Sequence, residues 1–343
     1  MKLELTISGL GTAYLDHNVL DHIIKGYNKV TVPWLKENNL IPVYSYATLN
    51  EIKQSVGYET KFLDLLTDLN ALYLDIPLDN QQQPTNKVKI IDDKPHDIYV
   101  RHLKALQDVP EEFGASVQTL FEKFSGGHED LSYEDISNLA GCDFESIGSF
   151  IDKELSELDD LPEELEHLKG ISFKEHLSGQ HGFLPPEAVK ALDAMKSSPM
   201  NEFNESTGVS PGYLSSGAIK PPNVLLMIIE YFKEKHKEMY EGNPEDYVPF
   251  DPSPIFGFDN WQDKTKSQKI DAIYHGLNFI GYFRDQKMKL PTKANAFLND
   301  MTHAGYASHC GVLVTSDTRM AKKAEAAYDF VKCGTAIAFF NPK

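Results

Sequence analysis

The stretch Gly311-Val312-Leu313-Val314-Thr315-Ser316-Asp317-Thr318 decides the fold class. Its apolar run is short, uncharged and rich in β-branched side chains, as in a strand buried on both faces. Thr318 to Val331 follows with good helix formers and basic residues, so the segment predicts a strand, an acidic turn and a helix. Beyond it, Thr335-Ala336-Ile337-Ala338-Phe339-Phe340 predicts a final strand ended by Asn341-Pro342. Before it, Ala294 to Ser308 predicts a helix, and residues 265–288 predict one long helix.

The N-terminal end carries the same alternation. A strand is predicted to end at Tyr14-Leu15-Asp16, with a helix from about Val19 to Tyr27. Ile41-Pro42-Val43-Tyr44-Ser45 predicts a second short strand, leading into a helix that begins near Ala47-Thr48-Leu49-Asn50-Glu51-Ile52. Residues 60–70 continue helically, and Leu72-Tyr73-Leu74-Asp75-Ile76 predicts a strand closed by Pro77. Strands alternating with helices imply an α/β fold with a parallel sheet.

The middle reads differently. Asp79 to Lys87 is a polar linker, and from 97 to 250 apolar residues recur at helical spacing in 98–106, 113–124, 147–158, 188–195 and 223–232. Residues 97–250 are therefore expected as a helical acidic insertion into a discontinuous catalytic domain of 1–78 and 265–343. Segments 79–96 and 251–264 serve as connections, and the loop from Asn243 to Trp261 is expected to be ordered.

Charge follows the same division. The formal net charge is −18, yet residues 101–170 alone carry −13 while residues 261–343 carry +5. A global value this acidic repels phosphates, but its concentration in one segment leaves a nucleic-acid partner open. Cys142, Cys310 and Cys333 are scattered and form no CxxC pair, which argues against a disulfide framework or a zinc site. With no apolar run of membrane-spanning length and no signal-like start, the expectation is a cytoplasmic protein.

Asp16 and Asp317 follow strands directly, Glu51 is read in the first turn of a helix, and Asp300 lies within the helix before the penultimate strand. If the first and penultimate strands are neighbours, these carboxylates converge where parallel α/β sheets bind ligands. Ionised carboxylates share a small site only with a cation between them, and hard oxygen ligands suit Mg²⁺ or Mn²⁺. The plainer reading of each aspartate after a strand is a helix N-cap, and of Glu51 a solvated first-turn carboxylate.

The joint pattern resembles the PIN-domain nucleases. Tyr14-Leu15-Asp16-His17-Asn18-Val19-Leu20 is similar to their first motif, and Ser45-Tyr46-Ala47-Thr48-Leu49-Asn50-Glu51-Ile52 to the second. Asn299-Asp300-Met301-Thr302-His303-Ala304 resembles the third, and Leu313-Val314-Thr315-Ser316-Asp317-Thr318-Arg319-Met320 the fourth. The resemblance covers under half the chain and departs at the long middle segment. It implies a three-layer α/β/α domain with Asp16, Glu51, Asp300 and Asp317 as metal-binding catalytic residues. The implied activity is hydrolytic cleavage of phosphodiester bonds by an endonuclease, usually of RNA, with a toxin-like or antiviral role by analogy. Alternatives are an inactive PIN-like binding or scaffold protein, or a phosphatase, although the phosphatase would need an aspartate where Asn18 stands.

Around these carboxylates, Asn18, Thr315, Ser316 and His303 are candidate supports for the metal ligands. Arg319, Lys322 and Lys323 are candidate phosphate-binding residues, with a solvated helix face as the plainer reading. The acidic run from Glu154 to Glu166 is most simply solvated surface. Its sharper reading is a nucleic-acid mimic over the basic face, while the insertion as a whole is expected to restrict access to the groove or to receive a basic regulatory protein.

Overall fold

Thr12–Leu15 forms β1, and all four of its residues are buried. In the computed structural model, residues 11–79, 84–107, 115–124, 126–156, 171–177, 185–235, 261–285, 288 and 290–340 are described. β1 pairs in parallel with β2 (Ile41–Ser45) on one side and with β5 (Val312–Thr315) on the other, so Tyr14 stands opposite both Val43 and Leu313. β3 (Leu72–Asp75) extends the sheet beyond β2 and β6 (Ala336–Phe339) beyond β5, each in parallel. The full order is β4-β3-β2-β1-β5-β6.

β4 (Lys89–Ile91) runs antiparallel to β3, so the sheet is mixed rather than wholly parallel. The link between them doubles back through an antiparallel bridge between Leu78 and Pro84, and a chain that turns back in this way pairs antiparallel. This three-residue edge strand falls just after the stretch read as a linker, and so short a run carries little pattern. The three-layer expectation otherwise fits the arrangement, with helices on both faces of a mostly parallel sheet.

Four helices precede β4: α1 (His17–Ile24), α2 (Thr31–Glu37), α3 (Tyr46–Gln54) and α4 (Glu59–Asp68). Val19, Leu20, Leu35, Leu49, Ile52, Phe62, Leu63 and Leu66 from these helices pack on Ala13, Leu15, Tyr44 and Val314 of the sheet. α2 was not foreseen. α3 begins at Tyr46 because Ser45 accepts from the Ala47 amide while Thr48 accepts from the Ser45 amide. Glu51 consequently sits in the second turn, not the first, which weakens the helix-dipole reading of that residue.

The helices after β4 are α5 (Pro95–Gln107), α6 (Ala115–Phe124), α7 (Tyr133–Ser156), α8 (Phe173–Leu177), α9 (Pro186–Asp193), α10 (Pro199–Thr207), α11 (Pro211–Leu214), α12 (Val224–Lys235), α13 (Lys266–Ile280), α14 (Pro291–Ala307) and α15 (Thr318–Phe330). α7 starts far ahead of the expected 147, where Asp193 accepts from the Tyr133 and Glu134 amides. The long helix expected over 265–288 stops at Ile280. Gly281 is left-handed there, with φ 101°, and a Cβ on it would lie 2.6 Å from the Pro211 ring. Apart from Trp261, the loop from Asn243 lies outside the described residues, as does the acidic run beyond Ser156.

The chain divides into two compact units, one of Met1–His102, Asn204–Asp285 and Ala296–Lys343, the other of Leu103–Phe203 and Gln286–Asn295. The segment 97–250, read as one insertion, is thus shared between them. In the first unit α12 packs on α15, and its Leu225, Ile228 and Ile229 are buried. In the second, Leu120, Phe124, Tyr133 and Ile136 form a small core with Val189 and Leu192 against it.

Candidate metal centre

The strand order reverses between β1 and β5: the chain winds outward from β1 to β3, then returns to start again on the other side of β1. Parallel strands that separate in this way leave a crevice at their carboxyl ends. Asp16 leaves β1 and Asp317 leaves β5 at that crevice.

Asp16 occupies the N-cap position of α1 but makes no side-chain cap bond. Its carboxylate, 1% exposed, accepts instead from Thr315 Oγ1 at 2.9 Å, with the Asn18 amide at a long 3.4 Å. Asp317 does serve as an N-cap, its Oδ1 accepting from the Arg319 and Met320 amides at 2.7 and 2.9 Å. The plainer cap reading therefore holds for Asp317 and fails for Asp16. Thr315 ties the two together, because its hydroxyl also accepts from the Asp317 amide at 3.0 Å. Ser316 is half-buried.

Glu51 reaches the same place from α3. Its Oε2 accepts from His303 Nε2 at 2.7 Å, and its Oε1 from Asn299 Nδ2 at 3.3 Å. His303, fully buried on α14, uses its other ring nitrogen on the Tyr14 hydroxyl at 2.7 Å, and that hydroxyl meets Ser45 Oγ at 2.6 Å. Donor atoms of Asp16, Glu51 and His303 all lie within 4.8 Å of one another, a group that could hold a metal ion. His17 lines the edge, stacked on Phe62 with Nδ1 3.9 Å from Glu51.

Electrostatics follow from this crowding. Burial, reinforced by the Glu51 charge, raises the Asp16 carboxyl despite His303 and Thr315. Burial would also raise Glu51, but the His303 hydrogen bond and charge outweigh it and hold the carboxyl low. Burial opposes a charge on His303, yet Glu51 and Asp16 raise it above its ordinary value. When protonated, the ring donates from both nitrogens, to Tyr14 and to Glu51. To ligate a metal it must give up a proton and one of these partners, so it suits clamping Glu51 better than binding an ion.

Asp300 keeps some solvent access, yet loss of hydration around its carboxyl and the charges of Asp16, Asp285 and Asp317 push it well above the carboxylate range. Of the four expected carboxylates, Asp16 and Glu51 belong to the group whose ligand atoms lie within 4.8 Å of one another, while Asp300 feels the charges of Asp16 and Asp317 from farther away. The basic residues divide. Arg319 and Lys322 are half-buried, and Lys322 pairs with Glu325 at 3.0 Å. Lys323 is fully buried and ion-paired with Asp285, so it offers no surface to a phosphate. Its assignment to phosphate binding is corrected: the helix turns that position to the protein interior.

Asp285, Tyr14 and His17 were not singled out from sequence. Asp285 carried no usable signal once 265–288 was read as unbroken helix; Gly281 was the overlooked stop. No family model matches the chain, and no curated protein or solved structure matches it at a significant level.

Proposed function

We propose that the chain is a divalent-metal-dependent endonuclease that hydrolyses phosphodiester bonds, with RNA as the favoured substrate. What supports this reading is the closeness of Asp16, Glu51 and His303 beside the carboxyl end of β1, with Asp300 and Asp317 within electrostatic reach and Asp16 and Asp300 both destabilised as anions. Carboxylates held together against their charge need a cation, and an all-oxygen set favours Mg²⁺ or Mn²⁺. Such an ion would generate a hydroxide nucleophile and stabilise charge on the phosphoryl group.

The chain's own residues do the rest. Asp16 and Asp317, linked through Thr315, would hold the ion between two strand ends. His303 fixes the Glu51 carboxylate so that it faces Asp16 instead of solvent. Arg319, half-buried two residues after Asp317, remains available to a phosphate. The PIN-like resemblance supports the assignment of RNA and a toxin-like or defence role.

A metal-free binding protein is the second reading. It is favoured by the buried Lys323, and by His303 when protonated, which already offset part of the acidic charge. Incubation of single-stranded RNA with purified protein and Mn²⁺ separates the two. Cleavage that EDTA stops, and that Asp16→Asn reduces by orders of magnitude in a folded protein, supports the nuclease. RNA or a protein ligand bound but never cut, with the same affinity in EDTA, supports the binder.

A further inference from the structure

Lys323 is among the largest fully buried side chains, in a helix whose other basic residues keep solvent access. Its ammonium is ion-paired with Asp285 and lies 3.3 Å from Asn278 Oδ1. It sits over the Tyr274 ring at 4.4 Å and the Phe297 ring at 5.2 Å from their centroids, so ring faces shield it from water. Its field also reaches Asp300 and Asp317. A lysine is rarely buried so completely without a charge to answer, and here the answer includes two of the proposed metal ligands.

The surroundings are built for a cation. The Tyr274 hydroxyl, fully buried, has no hydrogen-bond partner among the described residues and feels the charges of Asp300, Asp285, Asp317 and Asp16. Asn278 presents its carbonyl to Lys323 and to the Asp285 amide. Asp285 and Asn278 oxygens therefore contact the Lys323 ammonium, and the charges of Asp300 and Asp317 reach both it and the Tyr274 hydroxyl.

Taking the metal-binding reading above as its basis, we propose that Lys323 is a built-in cation occupying the place of a second metal ion beside Asp300 and Asp317. The chain then binds a single divalent ion, on the Asp16 and Glu51 side. The ammonium supplies a fixed positive charge on the other side, where a second divalent ion would be repelled by it. Lys323 touches no substrate; it is a positioning residue that sets how many ions the cluster takes.

The test counts ions. Mn²⁺ is titrated into the full chain and into Lys323→Met and Lys323→Arg, with bound and free ion separated by electron paramagnetic resonance. One ion in the wild type, two in Lys323→Met and one in Lys323→Arg is the expected set. If Lys323→Met does not fold, Lys323→Met with Asp285→Asn removes the ion pair as a unit and is expected to bind two. Two ions in the wild type, or one in both the wild type and the neutral variant, overturns the proposal. No ion in either overturns the metal reading and this inference with it. No ion in the wild type but one in Lys323→Met keeps Lys323 in a cation's place while rejecting metal dependence of the native chain.

Discussion

Replacing His303 by Gln tests the clamp at the centre of the site. The imidazole is fully buried and makes two 2.7 Å hydrogen bonds, to Tyr14 and to a Glu51 carboxylate that is itself only 18% exposed. A glutamine can satisfy one partner but brings no charge. A hydrogen bond to a charged group contributes about 1.5–3 kcal/mol, and removing one partner of a buried ion pair costs about 3–5 kcal/mol. Glu51 keeps a little water, so the loss falls between these, at about 2–4 kcal/mol. At roughly 2–4 °C per kcal/mol for a large domain, the melting temperature drops by about 4–16 °C. His303 has its folded pKa raised, so its contribution is complete below the unfolded value of about 6.5 and is lost as pH rises through the folded value. Glu51 has its folded pKa lowered, so its contribution is complete above the unfolded value of about 4.3 and is lost as pH falls through the folded value. The gap between wild type and variant, measured by thermal denaturation in EDTA, is therefore widest between about pH 4.5 and 6.5 and narrows toward pH 9. A variant melting within a degree of wild type at pH 6, or a gap that persists undiminished at pH 9, refutes the imidazolium clamp.

Thr315→Val removes the hydroxyl that joins Asp16 to the Asp317 amide, and urea denaturation is expected to show a loss of about 1–3 kcal/mol. The same variant should weaken Mn²⁺ binding, since Asp16 loses its orienting donor. Gly305→Ala places a Cβ 2.6 Å from Asp271 Oδ1, against a carboxyl that burial already pushes well up; a cost of about 1–3 kcal/mol is expected, and an unchanged melting temperature would show that α13 and α14 have room to part. In the second unit, Asp193→Ala strips the acceptor from the first amides of α7, with an expected loss of about 1 kcal/mol and faster amide exchange at Tyr133 and Glu134.

The sheet was legible because its strands are buried and apolar enough to interrupt helical spacing. Val312–Thr315 and Ile41–Ser45 lie within the runs read as strands, and both end where polar side chains begin. The neighbourhood of β1 and β5, on which the convergence of the acids depends, was inferred only as a condition; their pairing satisfies it. β4 escaped because three residues carry too little pattern. α7 escaped at its start because the group that caps it, Asp193, is sixty residues away in sequence and no local residue announces it.

The site shows a sharper boundary between what a linear pattern carries and what packing decides. A carboxylate that follows a strand is visible in sequence, but whether it caps the next helix depends on where its side chain turns: Asp317 caps and Asp16 does not. Arg319, Lys322 and Lys323 looked equivalent at the start of one helix. Helical geometry rotates successive residues by about 100°, so adjacent positions 322 and 323 face different surroundings, and only the packing of α13 against α15 shows which is inward. The sequence therefore located the negative charge of the cluster far better than the charge that balances it. Asp16 and Asp317 arrive by strand ends, which have a local signature. The cations arrive from the interior faces of α14 and α15, as His303 and Lys323, with nothing local to mark them. Any carboxylate cluster at such a crevice invites the inference of metal ions, but the number of ions depends on how many of these silent cations the surrounding helices already supply.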